Sequence, residues 1–268
     1  MNAPAVTAVK ARPKVDLDAT TDRLLRLGLG HAAEELSERI ARATKESQSV
    51  HGFLDQLLDA ELNAREDRRV KTSLRLSGLP TGQTLASFDF AFQPSVERSH
   101  IETLGTCAWV RAKETLLIQG PPGVGKTHLS IALGVKAVEN GFSVTFFRLE
   151  ELLAALRADA DLPPARLRRR KYLNVALLII DEMGFEPMTR TEASLFFRLV
   201  SYRYGRGSIL ITTNKGIKDW PELLAGDEVL ATAILDRLLH HCDVLAINGP
   251  SYRLKDRLNL VTGGEPIP

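Results

Sequence analysis

Cysteine is scarce in this chain and long apolar runs are missing. Among 268 residues there are two cysteines, Cys107 and Cys242, far apart and in no metal-ligand spacing, which fits reduced thiols in a cytosolic protein. No stretch approaches the roughly 18 apolar residues of a membrane span, and the Ala/Pro/Val-containing start lacks the apolar core of a secretory signal. The expected location is therefore the cytoplasm, with no membrane partner. Net charge is nearly absent too: 35 Lys and Arg against 33 Asp and Glu leave +2, so any nucleic-acid binding must come from local clusters. What remains is a globular composition, 44% hydrophobic, long enough for one substantial domain and a smaller module.

The most specific stretch is Gly120-Pro121-Pro122-Gly123-Val124-Gly125-Lys126-Thr127, which completes the pattern G-x-x-x-x-G-K-[ST]. Thr115 to Gln119 before it suits a buried parallel strand, and Leu129, Ile131, Ala132, Leu133 and Val135 after it suit a packed helix. A loop of this kind binds phosphate. Its glycines let the backbone wrap closely, its N–H groups converge at a helix N-terminus, Lys126 adds a mobile cation, and Thr127 offers a hydroxyl to Mg2+.

Val175 to Ile180 is the clearest buried strand, and it ends in Asp181-Glu182, where parallel strands present functional groups. With the phosphate loop upstream, the pair points to ATP hydrolysis. Asp181 would hold a hydrated Mg2+ shared with Thr127, and Glu182 would orient and polarise the attacking water. The strand Ser208 to Asn214 follows a helix over Thr189 to Tyr204. Its polar end, Asn214, is a candidate to touch that water or the γ-phosphate; a turn asparagine is the alternative.

Around these motifs the chain has the βαβ rhythm of a parallel α/β sheet with helices on both faces. Gly141 ends the first helix, Val144 to Phe147 is a strand, and a helix runs from Leu149 to about Ala158. A helix near Val229 to His241 puts Arg237 beside its apolar stripe, and Val244 to Ile247 forms a final strand. Adjacent His240 and His241 point in different directions, which favours packing over metal binding.

Upstream, residues 1–20 are expected as a flexible tail, 21–77 as a helical module for DNA or a partner, 78–87 as a linker, and 88–268 as the catalytic domain. The module shows apolar stripes, Leu36, Ile40 and Ala43, then Phe53, Leu54, Leu57, Leu58 and Leu62, with Ser49 as N-cap. Two basic clusters are candidates for DNA phosphates: Arg65, Arg68, Arg69, Lys71 and Arg75, and the denser Arg166, Arg168, Arg169, Arg170 and Lys171. A solvated face, or for the second cluster acidic groups on a neighbouring subunit, accounts equally for such composition. Phe88 and Phe90 at the start of the second domain stand either near the nucleotide base or in the core.

Taken together, Phe88-Asp89-Phe90, Gly120 through His128 to Leu129, Leu178 to Gly184, Thr212 to Asn214, Asp236 to His241 and Ser251 to Leu254 resemble one family. They are similar to the insertion-sequence transposition helper ATPases of the IstB type, relatives of the DnaC helicase loaders in the AAA+ initiator clade. The resemblance covers residues from about 21 to 260. It implies an AAA+ strand order with little or no C-terminal lid, Walker B acids at Asp181 and Glu182, sensor 1 at Asn214, an arginine finger at Arg237 offered to a neighbour's ATP, and sensor 2 at Arg253. Many members read Asp-Asp-Leu-Gly where this chain has Asp181-Glu182-Met183-Gly184. The implied partners are duplex DNA, a transposase and further copies of the chain, with helicase loading, or a nucleotide-gated scaffold without turnover, as the alternatives.

Overall fold

The structure, a computed structural model, describes residues 16–255, which divide into two compact units, one ending at Arg69 and one beginning at Val70. Most of the expected tail, and everything after Lys255, lies outside the described residues. No described helix is long and apolar enough to cross a membrane.

The first unit is helical. Helix α1 spans Leu17–Arg26, α2 spans Gly30–Lys45, and α3 spans Val50–Ser77, continuing past Arg69 into the second unit. Asp16 caps α1 by accepting the Ala19 N–H, and the Ser49 hydroxyl accepts the Gly52 N–H at 3.1 Å, in the capping position expected. Ala32, Leu36 and Leu57 form a small core joined by Leu17, Leu24, Leu29 and Phe53. Here the apolar stripe of α3 splits. Phe53 and Leu57 share one column of the helix and pack inward, whereas Leu54, Leu58 and Leu62 stand one residue around the helix and are 49%, 42% and 61% exposed. Glu61 is buried beside this core. The Ala32 N–H that bonds its carboxylate at 3.0 Å and then the Arg65 guanidinium hold it below the usual carboxylate range, against the opposing effect of burial.

In the second unit the end of α3 packs Val70 and Leu74 onto the domain core and stops at Gly78, whose φ of +73° is a left-handed helix terminus. Then follow α4 (Arg98–Gly105), α5 (Ala108–Ala112), β1 (Thr115–Gln119), α6 (Lys126–Glu139), β2 (Val144–Arg148) and α7 (Leu149–Ala158). Short helices α8 (Pro164–Leu167) and α9 (Lys171–Asn174) lead to β3 (Leu177–Met183), α10 (Arg190–Arg203), β4 (Ser208–Thr213), α11 (Trp220–Leu223), α12 (Glu228–Leu239) and β5 (Cys242–Ala246).

The five strands pair in parallel in the order β2-β3-β4-β1-β5. Their side chains alternate between two cores, as a strand with both faces buried requires. Leu117, Leu178, Ile180, Ile209 and Ile211 pack under α7, α10 and α12, while Leu116, Ile118, Leu177, Ile179 and Leu210 pack under α6 and α4. Each such side chain contributes roughly 1.5–3 kcal/mol on leaving water.

Two boundaries differ from expectation in a way that matters for the site. Strand β3 starts at Leu177 because α9 occupies Lys171–Asn174, and it continues through the acids to Met183. Its ladder with β4 shifts register between Ile180 and Met183, where Glu182 takes a φ of +64°. The acidic pair is thus built into a bulged strand end.

Candidate functional site

The carboxyl ends of β3, β4 and β1 lie side by side in that order, and the loop from Gly120 to Gly125 rises from β1. Its glycines answer to close approaches. A Cβ on Gly120 would lie 2.4 Å from the Ile247 carbonyl, one on Gly123 would lie 2.0 Å from the Ser251 hydroxyl, and one on Gly125 would lie 2.7 Å from the Phe88 ring. Gly123 and Gly125 also have φ of +84° and +100°, the left-handed region where side chains are strained. Lys126 begins α6 and reaches back across the loop, donating to the Gly120 and Pro121 carbonyls, both at 2.8 Å. Its ammonium carries three N–H bonds, so those carbonyls aim it without exhausting it. Burial lowers its pKa, with Asp181 acting the other way and Arg253 adding to the lowering.

Behind the loop, hydroxyls organise the acids. Asp181 is 1% exposed, and its Oδ1 accepts from the Thr127 hydroxyl at 3.1 Å and from the Thr212 hydroxyl at 2.5 Å. Thr212 in turn accepts the Glu182 N–H at 3.0 Å, which ties the strained residue to β4. The Glu182 carboxylate is half exposed and stands 3.6 Å from Arg148 Nε. Asn214, just beyond β4, keeps a buried Oδ1 with no hydrogen-bond partner. A Cβ on Gly184 would lie 2.5 Å from that oxygen, so the glycine after the acids makes room for it.

These groups open into a cleft of about 320 Å³. Lys126, Thr127, Glu182, Asn214 and Arg253 line it, as does His128, whose Nε2 stands 2.9 Å from the Thr84 carbonyl. Phe88 lines it as well, edge-on to both Phe90 and His128. Phe90 does not; it packs behind Phe88 with the Arg98 guanidinium 4.8 Å from its ring centre. Glycine cradle, aimed ammonium and convergent helix start fit a nucleoside triphosphate's phosphates. The all-oxygen pair Thr127 and Asp181 fits Mg2+, a hard cation that keeps part of its water.

Arg148, Gln83, Gln93 and Phe185 also stand at this site without having been singled out from sequence, and Tyr252, named only within the Ser251 to Leu254 motif, lines it too. Arg148 shows no local signal; only the pairing of β2 with β3 sets it beside Asp181 and Glu182.

Other expected residues lie elsewhere. Arg237, in the last turn of α12, is absent from the cleft of its own chain; its guanidinium covers the Phe197 ring at 4.9 Å and donates to the Ala233 carbonyl. On α3, Arg65 and Arg68 bond Glu61, Arg69 bonds Glu66, and Lys71 and Arg75 are exposed. In the second cluster Arg170 is committed to Asp159 at 2.5 Å and Lys171 donates to the Leu76 carbonyl, while Arg166, Arg168 and Arg169 are exposed. His240 is engaged by the Tyr204 hydroxyl.

Comparison with known proteins gives this geometry a family. The IstB-like ATP binding protein family matches residues 22–260. The chain is 44% identical to the insertion sequence IS21 putative ATP-binding protein of Pseudomonas aeruginosa, over 87% of this chain and 88% of that protein. It is 38% identical to the insertion sequence IS5376 putative ATP-binding protein of Geobacillus stearothermophilus, over 87% and 92%. Among solved structures, the DnaC helicase loader superposes with a TM-score of 0.53 at 21% identity, covering 62% of this chain and 97% of that one. AMPPCP-bound DnaA from Aquifex aeolicus gives 0.52 at 18%, covering 71% and 58%. These two support the fold, an AAA+ P-loop domain, and the sequence matches support the family. The chain belongs to the IstB-like ATP binding proteins of insertion sequences.

Proposed function

We propose that this protein is an ATP-hydrolysing helper of DNA transposition. The observation that carries the hydrolytic part is the chain of hydrogen bonds from Thr127 through Asp181 and Thr212 to Glu182, set inside the cleft that the phosphate loop opens. Lys126 and the loop N–H groups bind the phosphates of ATP. Thr127 and Asp181 hold Mg2+, which when bound neutralises charge on the β- and γ-phosphates. Glu182 takes the proton of the attacking water, and the unpartnered Oδ1 of Asn214 orients that water. Arg253 lines the same cleft, where its charge is felt by Lys126, and it meets the phosphates as a second cation.

In this reading Arg237, which lies outside its own chain's cleft, completes the site of a neighbouring copy, as the family resemblance implies, offsetting charge on the transferring phosphoryl group. Assembly then depends on ATP, because a ligand held between copies favours the assembled state. Duplex DNA is gripped through exposed arginines, of which Arg166, Arg168 and Arg169 form the densest group. The insertion-sequence context of the relatives supports a role in preparing target DNA for a partner transposase, in the cytoplasm of a bacterium.

Particle size and DNA binding, measured on one sample with ATP, with ADP and without nucleotide, test the whole reading. Growth on duplex DNA only with ATP supports the transposition helper. Preference for single strands with no duplex assembly contradicts it and favours helicase loading.

A further inference from the structure

The cleft carries a polar group that hydrolysis does not use. Gln93 is 1% exposed yet lines the cleft. Its Nε2 donates to the Pro250 carbonyl at 2.8 Å, and this fixes which end of the amide is nitrogen. Oε1 is therefore an acceptor, and it is buried with no hydrogen-bond partner. A Cβ on Gly249 would lie 2.3 Å from that oxygen, so the chain keeps glycine where the acceptor needs room. A buried acceptor left without a donor is costly, and this one belongs to a residue that lines the cleft. Phe88 lines the same cleft with an aromatic ring, and so does Gln83, which holds a second buried Oε1 without a partner.

We propose that Gln93 is the residue that selects the nucleotide base, its Oε1 accepting a hydrogen bond from the exocyclic amino group of adenine. The inference rests on the triphosphate reading of the cleft. At ring position 6 adenine presents an N–H donor, whereas guanine and hypoxanthine present a carbonyl. Turning the amide to meet a carbonyl would break its bond to Pro250, so a 6-oxopurine sets acceptor against acceptor. A site built around a specific hydrogen bond rejects analogues that lack the group far more strongly than an apolar pocket rejects a change of size. The Pro250 bond has a second consequence. It steadies the segment in which the Tyr252 N–H donates to the Gly123 carbonyl at 2.9 Å and Arg253 faces the cleft, so base recognition and the phosphate loop share one support.

Calorimetric titration of the full chain with ATP, GTP, inosine triphosphate and the 6-deamino analogue, purine riboside triphosphate, tests this without relying on turnover. The wild type is expected to bind ATP about tenfold or more tightly than the other three. In Gln93→Met that preference should shrink to within about twofold. Equal binding of ATP and the deamino analogue by the wild type overturns the proposal, whether or not the variant folds. Retention of the full preference in a Gln93→Met protein with a wild-type thermal melt overturns it as well. Failure of the triphosphate reading looks different: no triphosphate binds, or Lys126→Ala binds all four as the wild type does, and the proposal falls with it.

Discussion

Arg148 Nε stands 3.6 Å from the Glu182 carboxylate across the adjoining ends of β2 and β3. Both side chains are well exposed, so the pair is worth only about 0.2–1 kcal/mol. That is enough to bias the carboxylate towards Arg148 and away from a water in the cleft. Arg148→Ala is therefore expected to raise DNA-free ATP turnover, by up to about fivefold. A steady-state phosphate-release assay checks it; a large loss of turnover would mean that Arg148 acts directly on the substrate.

Thr212 has a donor role to Asp181 and an acceptor role to Glu182 N–H, both in a buried place. Thr212→Val keeps the shape and removes both bonds. It should destabilise the domain by about 2 kcal/mol, since it leaves a buried carboxylate and a backbone N–H undersatisfied. Denaturant unfolding gives the value. No loss would mean that solvent reaches this end of the sheet.

Gly125→Ala places a side chain at φ +100° and 2.7 Å from the Phe88 ring. The loop must shift, costing about 1–3 kcal/mol in strain, and the N–H groups that converge on phosphate shift with it. ATP binding should weaken at least about tenfold, as read by titration with a fluorescent ATP analogue.

Legibility from sequence followed distance along the chain. The phosphate loop was readable because its chemistry is contained in consecutive residues from Gly120 to Thr127, and β1 and β4 were readable because both faces are apolar. The Arg148–Glu182 pair depends on strand pairing, and the Gln93–Pro250 bond joins residues 157 positions apart, so neither leaves a local pattern. Leu54, Leu58 and Leu62 read as part of a buried stripe because periodicity does not say how much of a helix its neighbours cover. Strand β3 runs on through polar Asp181 and Glu182 because Thr212 on the adjacent strand satisfies them.

Acid should loosen the helical unit around Glu61. Its folded pKa is held below the ordinary value, first by the Ala32 N–H, so its contribution is complete above the unfolded pKa and disappears as pH falls through the folded one. Hydrogen exchange of the full chain is the check. Protection at the Ala32 amide should fall below roughly pH 4 in the wild type, whereas Glu61→Gln should start from weaker protection and change little with pH.

Sharing of sites between copies has its own signature. Arg237→Ala should bind ATP normally and lose about 10³-fold in DNA-stimulated hydrolysis. Mixing it with Glu182→Gln should restore part of the activity, since some interfaces then pair an intact Glu182 with an intact Arg237. Absence of any recovery in mixed assemblies of confirmed size would place Arg237 outside the site.

The most direct measurement is ATP binding and hydrolysis by Glu182→Gln at high protein concentration with duplex DNA. The account predicts wild-type affinity for ATP and turnover reduced by about 10²-fold or more. Hydrolysis at the wild-type rate, with ATP still bound, would contradict it.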